Sequence, residues 1–231
     1  MPVRADFPIG WVGTPLPGDR TASLTYAAAL EPSPPTLEAA FDGSFAWLPP
    51  MEPAVRRRME PHWRSDADRC TLASSFEPAV AEATSKGFAL PEGFLHFMRS
   101  TELQQRAPSP TACYFDAPER IVEAPAPGDG VLVRFLNDQQ WCQHWYLYVE
   151  RGGAHAVVTS PYALDCDFLD DGGGNDGAPL LLCAPDFERF VYRLWLEGSA
   201  WFALALGHRA LTPAEARYVA EAAREGDVPT A

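Results

Sequence analysis

An α+β fold, with helices before and after a three-stranded antiparallel meander, is what this sequence predicts. Three observations carry the prediction. First, residues 131–159 hold three apolar runs, 131–136, 141–149 and 155–159, separated by Asn137-Asp138 and by Arg151-Gly152-Gly153. Asn and Asp side chains bond their own backbone and glycine tolerates positive φ, so both separators read as turns. Second, the middle run alternates. Trp145, Leu147 and Val149 point one way on a strand, and His144, Tyr146 and Tyr148 the other. One face belongs in the core; the other is covered by a helix or loop, or offered to a partner. Third, residues 74–86 and the stretch after Pro185 carry apolar residues at helical spacing.

In chain order, residues 1–73 are rich in Pro, Gly and Thr and lack a clear hydrophobic period, so an irregular extension packed on the main domain is expected there. Within it, residues 24–30 read as a short strand or a helical turn, and 37–41 as another turn of helix. Arg56-Arg57-Arg58 reads as a solvated helix face rather than a phosphate grip, because the chain is acidic. The main domain is expected over residues 74–231. Its first helix, 74–86, has Ser75 as a cap, Phe76, Val80 and Ala83 on one face, and Gly87 as a stop. Pro91 opens a second helix with Phe94, Phe97 and Met98 as its apolar stripe. Residues 113–115 and 120–123 are short strand candidates before the meander. After it come an acidic loop over 161–177, a brief run at 180–183, and a helix marked by Phe187, Phe190, Val191, Leu194 and Trp195. Gly198 is expected to interrupt that helix, leaving 201–206 as helix or edge strand. Thr212-Pro213-Ala214-Glu215 is a capping box that opens a last helix.

Composition narrows the function classes. The formal net charge is -13, from 31 acidic and 18 basic side chains, of which Lys86 is the only lysine. Such a chain repels nucleic acid and anionic membranes; solubility is the favoured reading of its charge, and attraction of a basic protein the alternative. The 47% hydrophobic share suffices for a real core. The five cysteines are widely spaced and odd in number, unlike a disulfide scaffold. The first residues lack the apolar run of a signal peptide, and no stretch is long and apolar enough to span a bilayer. A cytoplasmic location is expected.

LPEGFLHFM (residues 90–98), VRFLNDQQWCQHWYLYVERGGAHAVVTS (133–160) and FERFVYRLWLE (187–197) occur in this order. The first resembles the Leu-Pro-x-x-Phe/Tyr-x-x-Phe helix start of the SUKH superfamily, which includes fungal cell-wall-synthesis regulators and many bacterial immunity proteins. The second is similar to the central strands of a bacterial branch of that superfamily, where a run like FLxDQQxCxxWYLYL precedes a Gly-containing turn. The third resembles its late helix. The likeness covers about residues 74–197 and leaves both ends unexplained. It implies an α+β fold, a mostly antiparallel sheet with helices packed on one side, and an activity of binding rather than catalysis. Bacterial members often block toxins, commonly nucleases, by docking on them. The superfamily has no shared catalytic residues, so none carry over.

Candidate chemistry is sparse. Cys142 and His144 would share a strand face, which permits a thiolate–imidazole pair or two metal ligands. No third ligand or orienting acid has a diagnostic spacing, and a half-buried strand face is the expected reading. GGGNDG, with Asp165, Asp167, Asp170, Asp171 and Asp176 around it, is expected to be a solvated loop. A helix–loop–helix calcium site needs carboxylates at alternate positions, and Leu169 breaks that register. No phosphate-loop, dinucleotide, nucleophile-elbow or HExxH pattern appears. The expectation is a non-enzymatic protein-binding domain without cofactor or metal, of the immunity type, whose partner is a basic toxin domain such as a nuclease. Its contact residues are expected to be His144, Tyr146 and Tyr148 on an exposed meander face, with Asp165, Asp167, Asp170 and Asp171. Trp141, Trp145, Tyr146 and Tyr148 are the interface candidates among the rings; their alternative is core, the reading preferred for Trp145. The alternative functions are an adaptor working through the N-terminal region and an enzyme using Cys142 and His144.

Overall fold

A computed structural model describes residues 3, 6–17, 27–29, 41–64, 73–118, 120–125, 129–166 and 179–225. These form β1 (Trp11–Gly13), β2 (Ala27–Ala29), α1 (Pro53–Arg64), α2 (Ala73–Ser85), α3 (Glu92–Met98), α4 (Thr101–Gln104), β3 (Tyr114–Phe115), β4 (Val122–Glu123), β5 (Val131–Asn137), β6 (His144–Val149), β7 (His155–Ser160), β8 (Leu181–Ala184), α5 (Phe187–Leu206) and α6 (Pro213–Glu225). The main sheet runs β3-β5-β6-β7-β8, with β4 also on β5, and every strand pairing in it is antiparallel. The fold is α+β.

The meander is the centre of the molecule, and its alternation is real. Trp145, Leu147 and Val149 of β6 face a large core shared with Phe76 of α2, Phe94 and Phe97 of α3, and Phe187 and Phe190 of α5. Phe187 is the hub of this core. Its ring meets Phe94 at 4.8 Å, Phe135 at 5.1 Å and Phe97 at 5.4 Å, all nearly edge-on, the orientation that ring quadrupoles favour. Tyr146 and Tyr148 face a smaller core with Leu132, Val158, Leu164, Leu180 and Phe7. On β5 a bulge between Arg134 and Leu136 breaks strict alternation, so Phe135 and Leu136 both enter the larger core.

The segment before α1 is built into this core. Pro8 and Gly10 exchange hydrogen bonds with Leu182, placing Ile9 beside β8 as a parallel bridge. Phe7 packs edge-on against Tyr148 at 5.0 Å. Trp11 is 2% exposed and donates its indole N–H to Glu197 of α5 at 2.8 Å. Glu197 also accepts from the Thr14 amide at 2.7 Å and from the Tyr218 hydroxyl, so one carboxylate ties β1, α5 and α6 together.

Local signals place most helix ends. Gly87, at φ +81, follows α2, and Pro91 is the N-cap of α3. Asp186 caps α5 by accepting from the Arg189 amide at 2.8 Å. The capping box opens α6, with Glu215 Oε2 accepting from the Thr212 amide at 2.8 Å and Thr212 Oγ1 from the Glu215 amide at 3.3 Å. Two expectations are corrected. α2 starts at Ala73, so Ser75 lies inside it rather than capping it. Gly198 does not interrupt α5, which continues to Leu206. A Cβ there would sit 2.2 Å from the Pro108 carbonyl oxygen, so the glycine serves close packing on a neighbouring loop.

Candidate functional site

The turn between β5 and β6 gathers most of the polar groups that the sheet buries. β5 ends at Asn137, and Asp138 organises the residues after it. Its backbone oxygen accepts from the Trp141 amide at 3.0 Å, and its Oδ2 accepts from the Gln140 amide at 2.9 Å. An aspartate bonding its own backbone in this way supports a tight turn. Trp141 then takes φ +61, the left-handed region that side chains disfavour.

Three contacts of its ring hold Trp141 there. Its Nε1 donates to the Tyr114 hydroxyl at 2.6 Å. The Arg134 guanidinium lies 5.0 Å from its ring centroid, within cation–π range. The His144 ring meets it edge-on at 5.4 Å. Its carbonyl oxygen lies 3.2 Å from His144 Nε2. The ring is nonetheless 45% exposed.

Beneath it lies a buried ionic network. The Arg134 side chain is 5% exposed, and that of Asp165 3%. Arg134 Nε donates to both Asp165 oxygens, at 2.8 and 2.9 Å, and Nη1 donates to Asp116 Oδ2 at 3.0 Å. Burial opposes the guanidinium charge, but Asp165 and Asp116 outweigh it and raise its pKa. Asp165 is held at its backbone too, where its oxygen accepts from Arg120 Nε at 3.1 Å.

His144 joins this network as a neutral ring. Asn137 Nδ2 donates to Asp116 at 3.1 Å, which turns Asn137 Oδ1 toward His144 Nδ1 at 2.9 Å. The single proton of the neutral ring therefore belongs on Nδ1. Nε2 then faces the Trp141 oxygen without a proton between them, an arrangement that favours the imidazolium. Burial is the larger effect, Arg134 adds to it, and the pKa falls to about 4.

The structure redistributes the expected contact residues. His144, Tyr146 and Tyr148 are 1%, 0% and 0% exposed, so they cannot meet a partner on an open sheet face. The reason is tertiary: Phe7, Leu164 and Leu180 roof that face. Each phenol has its own partners. The Tyr146 hydroxyl donates to the Tyr162 carbonyl at 2.9 Å and accepts from the Leu164 amide at 2.8 Å, and the Tyr148 hydroxyl donates to Asp129 at 3.2 Å. Asp165 is likewise no solvated charge, because Arg134 holds it inside. Asp167, Asp170, Asp171 and Asp176 lie outside the described residues.

Cys142 and His144 bond other partners rather than each other. Cys142 precedes β6, and its thiol donates to Asp138 Oδ2 at 3.0 Å. Burial, and then that hydrogen bond, push the thiol up to about 11, the wrong direction for a thiolate at neutral pH. Among the described residues no cluster of His, Cys, Asp and Glu is placed to hold a metal ion. A cleft between β1, the Ser109–Cys113 loop and α5 reaches Glu197, but that carboxylate is already occupied by Trp11, Thr14 and Tyr218.

Sequence reasoning places a turn at Asn137-Asp138 but misses its extent to Gln143. Trp141, which the aromatic pattern assigns to a strand, is the exposed aromatic of the site, and Tyr162, 50% exposed just beyond β7, is another. Asp138 followed by Gln139 and Gln140 is the available signal, since a turn-forming aspartate is not confined to a two-residue connection. Comparison with family models, with curated proteins and with solved structures returns no match. Geometry and the sequence motifs therefore carry the functional reading.

Proposed function

We propose that this chain is a non-enzymatic protein-binding domain of the immunity type, which neutralises a basic toxin domain, such as a nuclease, by docking through the Trp141 end of its sheet. One observation carries the reading: Trp141 is nearly half exposed yet fixed in a strained conformation by Tyr114, Arg134 and His144. A rigid exposed tryptophan gives a large contact area at little entropic cost, the property of a binding hot spot. Charge supports it. Asp116, Asp138 and Asp165 outnumber the two cations, Arg134 and Arg120, in the network below, so the surface favours a cationic partner. The resemblance to SUKH immunity proteins agrees, and it centres on the DQQWCQHWYLY run that forms this turn. No helix among the described residues is long and apolar enough to cross a membrane. The proposal places the encounter in the cytoplasm, where a nuclease toxin acts.

The test is binding of the purified toxin domain encoded beside this chain's gene, with wild type and Trp141→Ala. Tight binding by wild type, weakened about thirtyfold or more by the substitution, is expected. Equal binding by both proteins, or no adjacent toxin that this chain binds, overturns the reading.

A further inference from the structure

We propose that the partner meets this end of the sheet with an arginine-bearing segment, seated across two rings, Trp141 and Tyr162. This rests on the docking reading above and specifies the partner's chemistry: a planar guanidinium rather than any positive charge.

The fold places the two rings at one end of the sheet. There β5 ends, β6 begins and β7 ends, with His144 in register with Asn137 on one side and Ser160 on the other. Trp141 lies three residues before His144, and Tyr162 two residues after Ser160. Contacts run from one to the other. The Trp141 ring meets the His144 ring at 5.4 Å, His144 pairs with Ser160, and Ser160 Oγ accepts from the Tyr162 amide at 3.2 Å. A second path runs through the ionic network. Arg134 lies over Trp141 and bonds Asp165. Leu164, next to Asp165, donates its amide to the Tyr146 hydroxyl, which donates to the Tyr162 carbonyl at 2.9 Å. Tyr162 is thus fixed at its backbone N–H and C=O, as Trp141 is fixed by its ring. The two are 50% and 45% exposed, two of the five large hydrophobic side chains exposed among the described residues. Gln139, Gln140 and Cys142 beside Trp141, and Pro161 beside Tyr162, are exposed as well, so both turns present open surface.

Arginine suits this surface for two reasons. The structure already holds one guanidinium on Trp141, that of Arg134 at 5.0 Å. With Arg134 there and Nε1 bonded to Tyr114, the far side of the ring is the part left open. A guanidinium stacks on aromatic faces and is weakly hydrated, whereas an ammonium holds its water. Charge agrees. Asp116 is the carboxylate of the network that reaches solvent, its side chain 29% exposed against 3% for Asp165. Its Oδ2 accepts from Arg134 and Asn137, while Oδ1 accepts from the Ala117 amide at 2.9 Å and keeps capacity for an incoming N–H.

The probe is the peptide Gly-Arg-Gly-Arg-Gly, titrated into the full chain near physiological salt and followed by the indole N–H resonances. The Trp141 resonance is assigned by its absence from the Trp141→Phe spectrum. A saturable shift of that resonance is expected. Gly-Lys-Gly-Lys-Gly, of equal charge, is expected to bind about fivefold or more weakly. Tyr162→Ala is expected to weaken arginine-peptide binding about tenfold, and Tyr162→Phe to keep most of it. An unchanged melting temperature shows that these variants fold. No saturable shift at Trp141, equal binding of the lysine peptide, or full binding by Tyr162→Ala would each overturn the proposal. A toxin domain weakened by Trp141→Ala but not by Tyr162→Ala overturns it too and leaves the docking reading standing. Arginine-selective, Tyr162-dependent peptide binding without any toxin bound supports it and sinks the docking reading alone.

Discussion

At one end of β6 the chain turns through residues 138–143, with Trp141 at φ +61; at the other it turns through residues 150–154, with Gly153 at φ +80. Both turns close with backbone bonds of 2.9 Å, Asp138 N to Gln143 O in the first and Glu150 N to Ala154 O in the second. Both set an arginine against a ring, Arg134 on Trp141 at 5.0 Å and Arg151 on Phe88 at 4.7 Å. They differ in which residue takes the left-handed position and in what lies beneath. Gly153 adopts it without steric cost and has open space around it. Trp141 pays about 1–2 kcal/mol for the same conformation and stands over a buried ion pair and a buried imidazole. A turn needed only for connection would carry glycine at both ends of β6. The first carries tryptophan, whose ring touches Tyr114, Arg134 and His144.

The largest expected effect separates the two arginines. Arg134→Met strands Asp165 as an unpaired buried charge and is expected to cost about 3–5 kcal/mol. Arg151→Met removes an exposed contact to Phe88 and the Lys86 carbonyl and is expected to cost under about 1 kcal/mol. Chemical denaturation of the two variants checks this, and equal losses would erase the distinction between the turns.

Acid is expected to act next most strongly, and mainly on the first turn. Burial holds the His144 pKa near 4, below its ordinary 6.5, so between those values the unfolded chain binds a proton that the folded chain refuses. Stability from this group is therefore full above pH 6.5 and is lost as pH falls toward 4, by about 3 kcal/mol. His155, beside the second turn, is shifted the same way. Denaturation of wild type and His144→Gln across this window measures the difference, and the variant should show a clearly shallower pH dependence.

Exchanging the left-handed residues sharpens the comparison further. Gly153→Ala is expected to cost about 1–2 kcal/mol, since alanine gains nothing there to offset the strain. Trp141→Gly is expected to change stability by only about 1 kcal/mol, because relief of backbone strain offsets the lost ring contacts. Its effect should appear in partner affinity, as a loss of about 2 kcal/mol or more. A Trp141→Gly protein that keeps full affinity would leave the strain without a functional reason.

The smallest effect concerns reactivity rather than stability. With its thiol at about 11 against an ordinary 9.0, Cys142 holds about a hundredfold less thiolate at neutral pH. Alkylation at Cys142 should therefore be slower than at a free thiol despite its exposure. Rapid alkylation would restore the case for thiol chemistry at this turn.

Much of the fold is legible in the sequence. The meander, the opposite facing of Trp145 and Tyr146, the stop at Gly87 and the capping box at Thr212 all rest on interactions within a few residues. Less of the site is legible. Trp141 reads as a strand residue because its aromatic neighbours favour strands, and that pattern outweighs the weaker signal of Asp138-Gln139-Gln140 for a longer turn. Gly198 reads as a helix break because helix propensity does not register the Pro108 carbonyl packed against it.

Periodicity and turn chemistry are short-range, so residue order alone settled where most strands and helices form and which side chains of β6 share a face. Whether a face meets water depends on what another part of the chain lays over it. Phe7 and Leu164 come from either side of the meander to roof Tyr146 and Tyr148, and only folding brings them there. The same long-range packing drew Asp165 inward to Arg134 and left Trp141 in solvent.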